Sequence, residues 1–441
     1  MQSARTRAPL AVALGLALAA ALRAEPAPTD LYRAIDAGAA SAADRVVAWR
    51  RDLHAHPELS NREFRSGELA ARELARLGLE VRRKVAKTGA LGILRGARPG
   101  RVIGLRADLD ALPVREELDL PFASRAVAEL DGREVGVMHA CGHDAHTAML
   151  LGAAQVLAGL RDELAGTIVF LFQPAEERPP PGETGGAPLV LAEGALDDPR
   201  PELLFALHAQ PEYEVGQVAY RAGPAMASSD RLHIALRGRQ SHAAHPWQGS
   251  DTLAAAARLL LELQALPGRA VDARLPSVVS IGQIQGGLRH NILPGQVELW
   301  GTIRALDPGV RSALHERVRR TARGIAESSG IELAVEIPAD GYPIAHNDPG
   351  LVARMRPTLE RVAGADRAIE GQPLLGAEDF AFYQQRMPGL LLWLGVRPRG
   401  TPAADAAPNH SPRFFVDEGA LELGVRLLAN LAVDALAGAR D

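Results

Sequence analysis

Apolar residues recur with two different rhythms along this 441-residue chain, and the change of rhythm divides it. Over residues 30–77 they return at helical spacing among Ala, Arg and Leu, with an interruption at His56-Pro57. Short apolar runs then follow, each ending in polar residues, and these read as buried strands. Residues 102–105 lead into Arg106-Ala107-Asp108-Leu109-Asp110, and 167–172 into Gln173-Pro174-Ala175-Glu176-Glu177. Residues 203–207 lead into His208, and 390–396 form a further run. Helical stretches lie between them, such as 145–164, for which Asp144 is placed as an N-cap. Strands alternating with helices predict an α/β sheet. Ligand sites in such sheets form beyond the carboxyl ends of the strands, where the polar residues fall here.

From 227 to 339 the rhythm changes. Strand-like 231–237 precedes helical 252–266; strand-like 277–284 and 297–303, helical 310–328 and strand-like 331–337 follow. That βαββαβ order predicts a ferredoxin-like unit. It interrupts the first domain, which then comprises residues 30–226 and 340–441, with 227–339 as the insert. The Pro- and Gly-rich stretch 178–186 reads as a surface loop.

Length agrees with two domains, since a single core rarely extends to this size. With 47% hydrophobic and 23% charged residues the composition is globular. A net charge of −4 without any basic run argues against nucleic acid as a partner. Residues 1–24 read as an export signal: Arg5 and Arg7, an apolar stretch over 10–22, then small residues at Ala21 and Ala24. At about a dozen residues the apolar stretch is shorter than the roughly 20 of a spanning helix, so a periplasmic or secreted protein is expected. No cysteine directly follows it, so a lipoprotein is not expected.

Cys141 is the only cysteine and cannot form an intrachain disulfide. It lies two residues before His143, at the start of an apolar helix, and thiolate and imidazole both ligate borderline metals. Alone it fits a small buried hydrophobe equally well. Glu176-Glu177 ends a strand-like run, where one carboxylate can bind metal while the other moves a proton. Alone, it fits a solvated acidic pair. His208 and His410, taken singly, fit ordinary core or loop histidines, and His54, His56, His139 and His146 read as structural.

Together, RRDLHAHPELSNREF, GLRADLDALPV, MHACGHDAHTAMLLGAA, FLFQPAEE, SHAAHP, NILPG, GTIRA, GAEDFAFY and NHSPRFFVDEGAL stand in one order. In that order they resemble the amidohydrolase branch of the aminoacylase, carboxypeptidase G and desuccinylase superfamily, which includes indoleacetyl-amino-acid and hippurate hydrolases. The resemblance implies an α/β metallohydrolase domain with an inserted ferredoxin-like lid. It implies two divalent ions (Zn, Mn, Co or Ni) held by Cys141, His143, Glu177, His208 and His410, with Cys141 where relatives use a bridging aspartate. Glu176 becomes the general base, and Asp108 a carboxylate that orients a ligand, with Asp110 close by. Arg106 falls where other branches carry a ligand histidine.

In the lid, His242 matches a histidine that stabilises the oxyanion, while Asn291 and Arg304 match substrate-binding residues. Arg304 could hold a free carboxylate through paired hydrogen bonds. The expected activity is hydrolysis of the amide of an N-acyl amino acid or related conjugate. The rivals are a dipeptidase or carboxypeptidase of the same superfamily, and an exported metal-binding protein without catalysis. A homodimer joined through the lid is also implied, with His242 acting in cis or from the neighbouring subunit. Two departures bear on specificity. The loop after Glu177 is longer than the short glycine-rich turn of this branch, and Ala209-Gln210 follows His208 where an aromatic residue is frequent.

Overall fold

A computed structural model describes residues 29–130 and 132–438 of the chain. The stretch read as an export signal lies outside the described residues. The first helix, Thr29–Ala55, buries Leu31, Ile35, Ala39, Ala42, Val46, Trp49 and Leu53, a spacing of three or four that places one stripe on the core. After the break at Pro57 a second helix runs over Phe64–Arg76.

The main sheet orders its strands as Glu80–Val85, Gly89–Arg95, Ala165–Gln173, Arg98–Asp108, Leu203–Glu214, Gly389–Arg397, Val218–Tyr220 and Ala368–Glu370. Its central four are parallel to one another. Alternation sorts their side chains: Phe170, Phe172, Phe205 and Leu207 face one core, while Val169, Leu171, Leu204 and Ala206 face another. The first core is covered by Thr29–Ala55, His143–Gly159 and Leu421–Ala437. His143–Gly159 is buried on nearly every side, as a helix between a sheet and other helices must be. A Cβ on its Gly152 would lie 2.6 Å from Val425 Cγ2 and 2.7 Å from Val46 Cγ2, so glycine is what lets the three helices approach.

Two local features differ from expectation. The strands Glu80–Val85 and Gly89–Arg95 add an antiparallel edge; the outer strand is mostly exposed and polar, so no apolar run marks it. The helix expected from 145 begins at His143 after Gly142, and Asp144 caps nothing. Its carboxylate is engaged instead by Arg50 Nε at 3.0 Å and His54 Nδ1 at 2.8 Å. A buried guanidinium and imidazole outcompete the backbone amides for that carboxylate.

The insert forms its own antiparallel sheet, ordered Ser277–Gly286, Gln296–Ala305, Asp230–Arg237 and Glu332–Glu336. Helices Thr252–Arg269 and Pro308–Ser329 bury Leu259, Leu263, Leu314 and Val318 against it. Asp251 and Asp307 cap them by accepting from the amides of Ala254 and Val310. This is the ferredoxin-like lid. Its entry and exit meet at Ser229 and Tyr342, which exchange two backbone hydrogen bonds of 3.0 Å. No helix among the described residues is long and apolar enough to cross a membrane.

Candidate metal centre

The carboxyl ends of the parallel strands converge on one cavity of about 470 Å3. Arg98–Asp108 brings Asp108, with Asp110 just beyond; Ala165–Gln173 leads to Glu176 and Glu177; Leu203–Glu214 carries His208 within it. His143, Asp108 and Asp110 lie buried behind the wall, while Cys141 lines the cavity from the start of the buried helix. There Gly142 has φ +94°, and a Cβ would meet Ala209 Cβ at 2.7 Å, so only glycine lets the turn pass. His410 arrives from the C-terminal loop. Its amide donates to Ala140 O at 2.7 Å, and the Asn409 side chain donates to the carbonyls of Cys141 and Ala209 at 3.3 and 3.2 Å.

The donor atoms form overlapping trios, each within 4.8 Å: Cys141, His143 and His208; Cys141, Glu177 and His410; His143, Glu176 and Glu177. Cys141 belongs to two of them. Its Sγ lies 3.5 Å from His208 Nε2, and Glu177 Oε1 lies 3.0 Å from His410 Nε2 and 4.0 Å from His143 Nε2. Among the described residues neither ring nitrogen of buried His143 has a well-aligned hydrogen bond, although Nδ1 faces Asp110 Oδ1 at 3.3 Å. Buried polar atoms left so are completed by something else, and thiolate, imidazole and carboxylate together suit a divalent ion.

Charge supports that fit. Burial lowers the His143 imidazole, but Asp108, Asp110 and Cys141 outweigh it and hold it well above the usual histidine range. Contacts with Cys141 and then Glu177 push His410 up to about 10. The acids and thiol around these two imidazoles favour positive charge there, which a divalent ion would also supply. His208 goes the other way, to about 4, through burial and the neighbouring His146, which leaves it the neutral form a ligand needs. Burial, then Glu177, raises the Cys141 thiol.

Glu176 comes within reach of His143 and Glu177 and also of Glu378 and Asp379, but its hydrogen-bond partners are not those of the other donors. Its carboxylate accepts from the Asp379 amide at 3.2 Å, and its carbonyl from the Tyr342 hydroxyl at 2.6 Å. Burial, followed by Glu378, Glu177 and Asp379, holds its carboxyl well above the normal carboxylate range. Asp110 fixes the pair by accepting the amides of Glu176 at 3.1 Å and Glu177 at 3.0 Å. It is also the acid nearest His143 Nδ1, at 3.3 Å, against 3.8 Å for Asp108. Asp108 instead accepts from His146 Nδ1 at 2.6 Å, whose Nε2 accepts the Ala209 amide. Both nitrogens of His146 are thus used within the protein. Those of His54 face Asp144 and Glu116, while His139 is buried and held near 4, mainly by burial.

Arg106 donates to Gln173, Asp108, Glu378 and Asp379, all buried, and so neutralises the acids behind Glu176. The sequence reading assigned no task to Glu378, Asp379, Tyr342 or Arg178; only the GAEDFAFY motif pointed to the first two. From the lid, Arg304 lines the cavity. His242 and Asn291 do not line it: they lie exposed at the short Ser241–His242 and Ile292–Leu293 ladder.

Residues 104–434 match the model of Peptidase family M20/M25/M40. The chain is 37% identical over 391 residues to thermostable carboxypeptidase 2 of Saccharolobus solfataricus, covering 88% of this chain and 95% of that one. It is also 37% identical over 391 residues to N-acetylcysteine deacetylase of Bacillus subtilis, covering 88% and 96%. The crystal structure of the Bacillus subtilis YXEP protein, a dinuclear metal binding peptidase from the M20 family, superposes with a TM-score of 0.75 at 35% identity, covering 91% of this chain and all of that one.

Proposed function

The chain belongs to peptidase family M20/M25/M40 and is a metal-dependent amidohydrolase or peptidase, and from that premise we propose that it hydrolyses the amide of N-acyl amino acids at a two-metal centre. The observation that carries this reading is the set of overlapping donor trios sharing Cys141, with Glu176 beside them and Arg304 across the same cavity.

Cys141, His143, Glu177, His208 and His410 would hold two divalent ions, which when bound polarise a carbonyl and acidify water. Glu176 takes the proton of the attacking water and returns it to the leaving nitrogen. The Asp379 amide orients its carboxylate, and burial, followed by the acids around it, raises its proton affinity so that it can act in both directions. Arg304 receives the carboxylate of the amino acid released. Purified protein supplied with Zn, Mn, Co or Ni is expected to release amino acid from N-acetyl or N-benzoyl substrates. Hydrolysis of dipeptides alone would favour the carboxypeptidase reading. That reading has one specific support: Glu212 lines the cavity, has no ion pair among the described residues and could receive a free amine.

We also propose that His242 serves the cavity of a second copy. It is exposed and absent from the cavity wall of its own chain. The lid sheet ends in the edge strand Ser277–Gly286, near which Ile284 and Leu288 are exposed, the latter 98%. Open apolar edges of this kind pair with other chains. Mixing inactive Glu176→Gln and His242→Ala proteins and letting subunits exchange should then restore about a quarter of wild-type activity, since half the dimers are mixed and each has one intact site. A mixture no more active than its components would place His242 in cis or outside the reaction.

A further inference from the structure

Arg178 follows Glu177 directly and adopts φ +84°, a left-handed conformation that favours glycine. A non-glycine residue held there is strained, and such positions cluster at functional sites. The conformation aims the side chain along the cavity wall. One terminal nitrogen (Nη2) donates to Ser229 O at 3.1 Å and Ser229 Oγ at 3.2 Å, and the guanidinium carbon lies 4.4 Å from the centroid of the Tyr342 ring. Both contacts hold the group rigidly at the lid junction. Among the described residues its Nε and Nη1 have no hydrogen-bond partner.

Arg304 lines the same cavity and has neither a hydrogen bond nor an ion pair among the described residues. Burial, then the nearby charge of Arg178, lowers its proton affinity. Asp230, the acid that opposes this effect, is already held by Arg311 at 2.6 and 2.9 Å and faces His315 at 2.9 Å. Glu212, another acid of the wall, pairs with neither arginine. Two guanidinium groups thus face one cavity with repulsion between them and most of their donors unmet. One carboxylate accepts a single fork of two parallel hydrogen bonds, which satisfies one arginine. One carboxylate can serve two arginines, as Glu418 does for Arg50 and Arg51, but only a second carboxylate gives each arginine a fork of its own.

We propose that Arg178 and Arg304 form a paired-arginine subsite that selects substrates whose released amino acid has an acidic side chain, the N-acyl aspartates or glutamates. This deepens, and rests on, the amide-hydrolysis reading of the same cavity. Arg178 opens the Pro- and Gly-rich loop 178–186.

The test compares kcat/KM of the metal-loaded protein on N-acetylglutamate and N-acetylaspartate with that on N-acetylglutamine, N-acetylasparagine and N-acetylleucine. An acidic preference of roughly 10- to 100-fold is expected, the worth of a charged hydrogen-bonded pair. Arg178→Gly suits the backbone conformation, and it should bring the glutamate-to-glutamine ratio close to one. Where that variant is too slow to assay, the affinities for free glutamate and glutamine, read by calorimetry, give the same ratio. Hydrolysis without acidic preference, or a preference that survives Arg178→Gly, overturns the subsite alone. No hydrolysis of any N-acyl amino acid overturns it together with the reading beneath it.

Discussion

Glu176→Gln is expected to lower kcat by about 100- to 10,000-fold, the usual range for loss of a general base, while bound metal stays near the wild-type level. The two neighbouring glutamates sit in different company. Glu177 lies 3.0 Å from His410 and shares a trio with Cys141, whereas Glu176 is held by the Asp379 amide and backed by Glu378 and Asp379. A glutamine has nearly the same shape, and its side-chain oxygen can still accept from Asp379, so the pocket should persist. What it loses is the capacity to take a proton. Atomic absorption and kinetics on one preparation separate the effects. Lost metal with catalysis spared would reverse the roles assigned to Glu176 and Glu177.

Much of this arrangement could be read from the chain. Strand-like runs ending in Asp108, Glu176 and His208 marked the elements that carry the site, because buried parallel strands are continuous apolar runs. The lid could be read from its βαββαβ rhythm. What the chain could not show is which acid meets which histidine. Asp108 and Asp110 differ by two positions and both are fully buried, yet Asp110 holds the Glu176 and Glu177 amides while Asp108 meets His146. That choice depends on distances that differ by tenths of an ångström, as His143 Nδ1 shows at 3.3 Å from Asp110 and 3.8 Å from Asp108. Arg106, Glu378 and Asp379 are separated by some 270 positions and come together only when the sheet closes. Asp144 misled for a related reason: capping is a local rule, and the long-range partners Arg50 and His54 overrode it. Nor could spacing reveal that Arg178 adopts a backbone conformation usually reserved for glycine.

The largest effect is expected at Cys141, where two readings predict opposite results. As a small buried hydrophobe it could be replaced by Ala with little loss, since the side chains differ by one atom. As a ligand common to two donor trios, a position it shares with His143 and Glu177, it cannot be replaced by Ala without removing a ligand from both. The decisive measurement is a metal titration of chelator-stripped wild-type and Cys141→Ala proteins, followed by calorimetry and amide hydrolysis. The two-metal account predicts that wild-type protein takes up two divalent ions per chain and gains activity as they bind. It predicts that Cys141→Ala takes up at most one and stays at least about 100-fold less active, the scale of metal-assisted catalysis. Wild-type protein that binds no ions, or a Cys141→Ala variant that binds both and hydrolyses normally, would contradict it.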